Sequence, residues 1–179
     1  MNEEHANNLR GYVHVYTGKG KGKTTAALGL SIRAAGAGMK VFIAQFVKKG
    51  DYSEIKSLKR LSDLITIEQF GLGRFIDGEP QLEDIEAARK GLKRVKSIMS
   101  LGEYKVIILE EASVAVKKGL LSVHDLLSVI FAKPYDVELV ITGRYASPRI
   151  IDNADLVTEM RQIKHYFQKG VQARDGIEK

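Results

Sequence analysis

A glycine- and lysine-rich segment near the N-terminus limits most strongly the folds that this chain can adopt. It reads YTGKGKGKTT over residues 16–25, after the short apolar run 12–16 and before a run rich in Ala and Leu that starts at Ala26. Glycines at alternate positions between a strand and a helix, closed by Gly-Lys-Thr, are typical of a phosphate-binding loop whose backbone N–H groups face a polyphosphate. The segment therefore predicts a strand, a phosphate loop and a helix, in that order.

Each residue type in this loop has a physical role in binding a nucleotide. Lys23 supplies a positive charge, Thr24 supplies a hydroxyl oxygen for a magnesium ion, and the helix that follows adds the positive end of its dipole. The general pattern G-x-x-x-x-G-K-[ST] places a glycine at position 17, where this chain has Thr17, so the loop is a variant. A flexible turn that only exposes charge to solvent is the alternative. The residues predicted to bind nucleotide are Gly18, Lys19, Gly20, Lys21, Gly22, Lys23, Thr24 and Thr25.

Two adjacent glutamates, Glu110 and Glu111, directly follow the apolar run VIIL at residues 106–109. Acidic residues at the carboxyl end of a central parallel strand lie at the same edge of the sheet as the phosphate loop. There a carboxylate holds magnesium directly or through water. An isolated pair of this kind is more often a solvated surface feature. Together with Lys23 and Thr24 the pair predicts a metal site made by Thr24, Glu110 and Glu111.

Strand and helix patterns alternate along the rest of the chain. Strands are predicted at 41–47, 65–70, 106–109, 137–142 and 156–160, and helices at 23–37, 55–64, 82–99, from Ser122 towards Pro134, and from Ser147-Pro148 onwards. This alternation predicts an α/β fold, a three-layer phosphate-loop NTPase-like domain with a mostly parallel sheet. We expect residues 11–179 to form this single domain and the polar residues 1–10 to form a flexible N-terminal arm.

A glycine-rich loop at residues 71–80 contains apolar residues without a periodic core position. In one interpretation Leu72 and Phe75 pack under the loop as a small satellite cluster. In the other, Gly71, Leu72 and Phe75 face a flat, largely apolar ligand. The residues alone leave both interpretations open.

The composition removes several classes of function. The chain has no cysteine, which excludes disulfides, thiolate metal sites and cysteine nucleophiles. No run approaches the roughly 20 apolar residues of a membrane span, and the first residues do not resemble a signal peptide, so we expect a soluble, cytoplasmic protein without a membrane partner. The net charge of +6 favours polyanionic partners. No basic block interleaved with aromatics indicates nucleic acid, and binding of ATP would account for much of the charge.

Several segments of the chain together resemble the ATP:corrinoid adenosyltransferases of the cobalamin pathway, the phosphate-loop type of cob(I)alamin adenosyltransferase. The resemblance extends over nearly the whole chain from residue 11. The phosphate loop alone is common to many families, but its combination with TGR at 142–144 and ADLVTEM at 154–160 is specific. The other matching segments are RAAG at 33–36, QFVK at 45–48, IEQFG at 67–71, DIEAA at 84–88, KH at 164–165 and GIE at 176–178.

The resemblance implies a homodimeric, magnesium-dependent enzyme that moves the 5'-deoxyadenosyl group of ATP onto the Co(I) of a reduced corrinoid and releases triphosphate, in cobalamin biosynthesis or salvage. A flavoprotein is then the candidate reductant. Because Co(I) is itself a strong nucleophile, the protein has to supply geometry and to stabilise the leaving group. Lys23 and Glu111 are the implied catalytic residues. Arg144 and Lys48 are expected to bind phosphate or corrin amides, Arg144 as a nucleotide ligand in the first case, with a structural salt bridge as the alternative for either.

Three positions depart from the family pattern. Glu110 stands where aspartate is usual, Lys19 where an acidic or amide residue is usual, and Tyr166 where proline is frequent. Two other classes share the phosphate loop. A small-molecule kinase should also carry an arginine-rich lid, which this sequence lacks. A nucleic-acid-binding ATPase should bind with a steep salt dependence.

Overall fold

A sheet of six strands forms the centre of the molecule. The structure, a computed structural model, describes residues 10–178. The strands are β1 (Val13–Thr17), β2 (Val41–Phe46), β3 (Ile65–Phe70), β4 (Val106–Glu110), β5 (Glu138–Thr142) and β6 (Leu156–Glu159). They lie in the order β3-β2-β4-β5-β1-β6, and all neighbouring strands are parallel. The predicted α/β fold is therefore confirmed, and within the described residues the sheet is parallel throughout.

Helices cover both faces of the sheet, as the three-layer prediction requires. They are α1 (Lys23–Gly36), α2 (Ser53–Leu58), α3 (Leu82–Leu101), α4 (Ala112–Lys117), α5 (Val123–Phe131) and α6 (Pro148–Ile151), with 3₁₀ turns at Lys59–Leu61 and Tyr166–Lys169. On one face, Ala27 and Ala34 of α1 and Leu58 of α2 are buried against the strands. Residues of α3, α4, α5 and α6 form the core on the other face. Because β2, β4 and β5 are covered on both sides, they are nearly continuous apolar runs.

Local sequence signals set most element boundaries, and the helices differ from the predicted ones at two places. The N–H of Asp125 donates to Ser122 Oγ (3.1 Å) and the N–H of Ser122 donates to Asp125 Oδ2 (2.8 Å), which confirms the predicted capping box of α5. This helix ends at Phe131, before Pro134. The helix predicted over 55–64 is shorter, because α2 passes into a 3₁₀ turn after Leu58. No helix is predicted over Ala112–Lys117, yet α4 begins directly after the acidic pair.

A polar side chain lies on each strand at the same level near its carboxyl end, on the face that α1 covers. The row comprises Gln69, Gln45, Glu110, Thr142, Tyr16 and Thr158, in the order of the strands. Gln45 and Glu110 are completely buried. Ligands of open parallel sheets bind beyond the carboxyl ends of the strands, so the row indicates the edge at which a site is expected.

Within residues 10–178 the structure contains no helix with the length and apolar character needed to cross a membrane. The predicted N-terminal arm, residues 1–10, lies outside the described residues except for Arg10, whose guanidinium is 3.9 Å from the Asp155 carboxylate.

Candidate functional site

The phosphate loop joins β1 to α1, as predicted. Gly22 precedes α1 with a φ of 118°, a conformation that glycine adopts without strain. The ammonium of Lys23 donates to the carbonyl oxygens of Gly18 (2.8 Å) and Gly20 (2.6 Å). Burial lowers the pKa of Lys23, and the nearby Arg144 adds to this shift. Lys23 is thus held inside the loop, at the start of the helix whose N-terminus faces the site.

The glycines of the loop are also required by a contact that the sequence pattern does not reveal. A Cβ atom on Gly18 would lie 2.4 Å from the carbonyl oxygen of Met160, and one on Gly20 would lie 2.7 Å from the same atom. The N–H of Gly20 donates to that oxygen (2.7 Å). The loop therefore packs on the backbone that follows β6, and close approach to a phosphate is only one reason for its glycines.

Glu110 lies at the centre of a buried polar group behind the loop. Its Oε1 accepts from the Thr24 hydroxyl (2.6 Å) and from the Lys48 ammonium (3.0 Å). Its Oε2 has no hydrogen-bond partner among the described residues. Burial raises the pKa of Glu110 although Lys48 counteracts this. Burial also opposes the charge on Lys48, but the neighbouring Glu110 outweighs it and raises the pKa of the lysine.

The residues that directly follow the central strands have unusual backbone conformations. Glu111, after β4, has a φ of 60°, and Val47, after β2, has a φ of 66°. Tyr145, shortly after β5, has a φ of 64°. Such conformations cost about 1–3 kcal/mol for residues other than glycine and occur preferentially at functional sites. At Glu111 the backbone N–H donates to Thr142 Oγ1 (3.0 Å), which fixes the turn that aims this glutamate away from the strand.

Two cavities meet at Glu111 and Arg144. The phosphate-loop cavity has a volume of about 740 Å³ and is lined by residues 20–25, Lys48, both of these residues and the C-terminal residues 176–178. The Phe75 cavity has a volume of about 840 Å³ and is lined by the same pair together with Phe75, Pro80, Lys117, Lys118 and Tyr145. Ligands in the two cavities would therefore meet next to the acidic pair.

The three residues predicted to bind a corrinoid occupy different positions. A Cβ atom on Gly71 would lie 2.6 Å from the backbone of the turn after β2, so this glycine serves close packing. Leu72 is partly exposed and lines neither of the two cavities described above. Phe75 is 88% exposed and lines the Phe75 cavity, with the Lys118 ammonium 5.6 Å from its ring centre. Ile76, not Phe75, is the loop residue that packs in the core, so the satellite-cluster interpretation is wrong for Phe75.

The C-terminal residues bind the phosphate loop, a contact that the sequence did not reveal. The Lys21 ammonium donates to Tyr166 Oη (3.1 Å), the Ile177 carbonyl (2.8 Å) and Glu178 Oε1 (2.7 Å). Arg174 donates to Glu178 Oε2 (3.2 Å). Hydrogen bonds from Arg174 and then Lys21 lower the pKa of Glu178. Tyr166, which stands where proline is frequent in the family, thus adds a hydroxyl to this contact. The Lys21 ammonium is hydrogen-bonded to C-terminal residues of the same chain.

The remaining predicted nucleotide ligands lie on both sides of the loop. Thr25, at the start of α1, lines the phosphate-loop cavity. Lys19 lines a separate cavity of about 550 Å³ together with Tyr145 and Arg161. Lys19 and Lys21 therefore differ from Lys23, which alone of the three is buried in the loop.

The oxygen atoms around the acidic pair fit a magnesium ion. Thr24 Oγ1 and Glu110 Oε1 are 2.6 Å apart, and Glu111 lines the same cavity. Magnesium in phosphate sites is bound by one or two carboxylates together with substrate oxygens and water. Residues 10–178 contain no cluster of three or more His, Cys, Asp or Glu side chains able to hold a metal ion. Phosphate oxygens and water would therefore complete the coordination here.

Comparison with known proteins agrees with this geometry. The family described as ATP:corrinoid adenosyltransferase BtuR/CobO/CobP matches residues 9–178. The corrinoid adenosyltransferase of Pseudomonas aeruginosa is 34% identical over 97% of this chain and 86% of its own length. That of Escherichia coli K12 is 31% identical over 97% of this chain and 88% of its own length, and corrinoid adenosyltransferase CobA of Salmonella typhimurium is 31% identical over 94% and 86%. By its matching sequence over almost the entire length, this chain belongs to the ATP:corrinoid adenosyltransferase family.

Proposed function

We propose that this protein transfers the 5'-deoxyadenosyl group of ATP to the Co(I) of a reduced corrinoid and releases triphosphate. The observation that carries the proposal, given the family, is the meeting of two cavities at Glu111 and Arg144. One contains the phosphate loop and the other an exposed aromatic ring. This arrangement suits a reaction between a polyphosphate nucleotide and a broad apolar ligand.

On the nucleotide side, the phosphate loop binds the triphosphate. Lys23 exchanges its bonds to the Gly18 and Gly20 carbonyls for phosphate oxygens, and the N-terminus of α1 adds its dipole. Thr24 and Glu111, with Glu110 behind them, would hold magnesium, which would supply positive charge to stabilise the triphosphate. Arg144 lies where the two cavities meet, so it contacts the phosphate nearest the broken bond.

On the corrinoid side, Phe75 covers a face of the ring and displaces water from the cobalt. Covering an exposed aromatic side chain with an apolar ligand removes its surface from water and so stabilises the complex. Gly71 and Leu72 belong to the same loop and support its position. In the transfer step the cobalt electron pair forms the bond to the ribose 5' carbon, and the bond from that carbon to the α-phosphate oxygen breaks with its electrons on triphosphate.

Three further parts of the proposal have other support. A homodimer and a flavoprotein that reduces the cobalt rest on the family resemblance, and a cytoplasmic location rests on the absence from the sequence of a long apolar run and of a signal-peptide pattern. Ultracentrifugation, cell fractionation and reconstitution with a reduced flavoprotein test them separately from the chemistry.

The experiment that tests the reaction uses an ATP analogue with a methylene or imido bridge between the β and γ phosphorus atoms. Adenosyl transfer breaks the bond at the 5' carbon, so protein, magnesium, reduced corrinoid and analogue should still yield the light-sensitive adenosyl-cobalt spectrum. A kinase or an ATPase cannot use the analogue, since its reactive bond is replaced. If ATP yields the product and the bound analogue yields none, the proposed mechanism is wrong. If neither yields product while ATP loses phosphate, one of the alternative classes applies.

A further inference from the structure

We propose that Gln45 and Gln69 form an amide relay that positions Lys48 and the Glu110 carboxylate for binding of the magnesium-bound triphosphate. The inference rests on the proposed function, because it concerns how the same site holds its metal. Neither glutamine contacts the cavity that takes the nucleotide, so both would act through the residues that they orient.

Gln69 connects the sheet to the turn that carries Lys48. Its Nε2 donates to Gln45 Oε1 (3.0 Å) and to the Gly50 carbonyl (3.1 Å), and its Oε1 accepts from the Gly50 N–H (3.2 Å). Gly50 lies two positions after Lys48, in the turn that contains the strained Val47. One side chain thus fixes this turn at a point close to the lysine. It also occupies the Gln45 oxygen, which leaves the NH2 group of Gln45 without a partner among the described residues.

Gln45 and Glu110 present complementary atoms to each other. They are in register on neighbouring strands and lie on the same face of the sheet, where strands are about 4.8 Å apart. Both side chains are completely buried. Among the described residues, Gln45 Nε2 and Glu110 Oε2 both lack a hydrogen-bond partner. One is a donor and the other an acceptor, so a single buried water bonded to both would satisfy both, as buried waters commonly do.

A purely structural role explains this chemistry less well. The residues of β2 that precede Gln45 on the same face are Val41 and Ile43, which pack in the core. A third apolar side chain would continue this pattern and would bury no polar atom. An amide at this position costs free energy unless it is paired, and the adjacent group that needs a donor is the Glu110 carboxylate. When Gln45 holds Oε2, Oε1 stays directed at Thr24 and Lys48.

The test measures the affinity for ATP by calorimetry, once with excess magnesium and once with EDTA. The dissociation constant measured with EDTA, divided by the one measured with excess magnesium, reports the magnesium-dependent part of binding. We call this quotient the ratio. Partners of metal ligands contribute roughly 10- to 100-fold to metal affinity, so Gln45→Met, which keeps the side-chain volume, should reduce this ratio about tenfold. Gln69→Met should reduce it as well, and it supplies a second variant at a less buried position.

A matched control lies on the opposite face of β3. Thr66 shares a hydrogen bond with Tyr104 (3.0 Å), so Thr66→Val also removes one polar contact from the sheet, and it should leave the ratio unchanged. Glu110→Gln should lower the ratio, and adding Gln45→Met to it should have no further effect, because the relay acts through that carboxylate.

Several outcomes would overturn the relay. These are an unchanged ratio in folded Gln45→Met and Gln69→Met, an equal loss of affinity with and without magnesium, or independent effects of Gln45→Met and Glu110→Gln. The readout is ATP binding and not product formation. A wild-type protein that binds magnesium-ATP normally but forms no adenosyl product would contradict the proposed function, and the ratios of the variants would still decide whether the relay exists.

Discussion

Glu111 combines a strained backbone with a position between two cavities. Its φ of 60° directs the side chain away from β4, and it lines both the phosphate-loop cavity and the Phe75 cavity. Glu110, the preceding residue, is instead buried behind the loop. The two neighbouring glutamates therefore have different surroundings, and we expect their substitutions to differ in effect.

If Glu111 holds magnesium against the phosphates, Glu111→Gln should lower turnover at least about a hundredfold, as loss of one preorganised charge-stabilising group does, with the fold intact. Glu110→Asp should have a small effect, because the shorter side chain keeps a carboxylate behind Thr24 and releases that hydroxyl for the metal. Steady-state kinetics at several magnesium concentrations, with circular dichroism as the folding control, measure both. Near-normal turnover of Glu111→Gln at limiting magnesium would exclude the assignment.

Phe75 is the most exposed of the apolar residues in its loop, and it lines a cavity. Phe75→Ala should raise the KM for reduced corrinoid roughly tenfold or more, because burying an aromatic side chain against an apolar ligand is worth about 1.5–3 kcal/mol. The dissociation constant for ATP should not change, since the ring lies outside the phosphate-loop cavity. Equal losses for both ligands, with a lower melting temperature, would mean that Phe75 only supports the fold.

At the residue scale, the sequence predicts which groups bind but not which protein groups they contact. The identity of Lys23 and Thr24 follows from local spacing, which one loop determines. The partners of other site residues are distant, since Lys48 bonds to Glu110 across 62 positions and Lys21 bonds to Glu178 across 157. Such contacts depend on strand order and on the path of the C-terminal residues. No local pattern contains that information.

At the scale of elements, α3 holds the loop that carries Phe75. The guanidinium of Arg74 bonds to Asp84 through Nε (3.2 Å) and Nη2 (2.8 Å). Asp84 also accepts from the N–H of Gln81 (3.1 Å), as part of the capping box of α3. A single buried carboxylate therefore both caps the helix and anchors the loop before it.

Asp84→Ala should lower the free energy of unfolding by about 1 kcal/mol through loss of the cap and should weaken corrinoid use. The hydrogen bond from Arg74 lowers the pKa of Asp84. A lowered native pKa stabilises the fold above the unfolded-state value and ceases to do so as the pH falls through the native value. The difference between wild type and variant should therefore be full near neutrality and shrink below about pH 4. Urea unfolding across this range measures it.

Glu83→Ala is the matched control for this prediction. Glu83 is adjacent in sequence and exposed, and its carboxylate is 3.9 Å from Arg74. It should change neither stability nor its pH dependence to a measurable extent, as is usual for exposed ion pairs. If Glu83→Ala matched Asp84→Ala, general charge and not the cap would be the cause.

Element types were predictable where burial imposed a pattern. Apolar runs predict β2, β4 and β5, because a parallel sheet covered on both faces needs continuous apolar strands. Helix α4 shows the limit, since the β-branched Val114 and Val116 favour a strand by propensity. A left-handed Glu111 ends β4 and the following residues coil into a helix under tertiary packing.

At the scale of the whole molecule, the site collects residues that are far apart in the sequence. The phosphate loop, Lys48, Glu111 and Arg144 follow four different strands, and all lie at the carboxyl edge of one sheet. This convergence was predictable, because the strands of a parallel sheet end at a common edge. The closure of residues 176–178 over the loop was not, since it depends on where the chain runs after β6.

Because the ligand would bind only the assembled edge, nucleotide binding should stabilise the entire fold. Magnesium-ATP at a concentration of 100 times its dissociation constant adds about 2.7 kcal/mol to the free energy of unfolding. For a chain of this size that corresponds to a rise in melting temperature of about 5–10 °C. Lys23→Ala, which removes the loop ammonium, should lose most of this rise, and differential scanning calorimetry with and without magnesium-ATP measures it.

Lys40→Ala provides the comparison that separates site binding from general charge. Lys40 precedes β2 at the amino edge of the sheet, where its ammonium is 3.7 Å from Glu103. Its removal changes the net charge as much as Lys23→Ala does, but it lies at the opposite end of the strands from the phosphate loop. The melting temperature of Lys40→Ala should therefore rise with magnesium-ATP as in wild type. A full rise in Lys23→Ala, or an equal loss in both variants, would mean that ATP stabilises the protein through its surface charge and not through the phosphate loop.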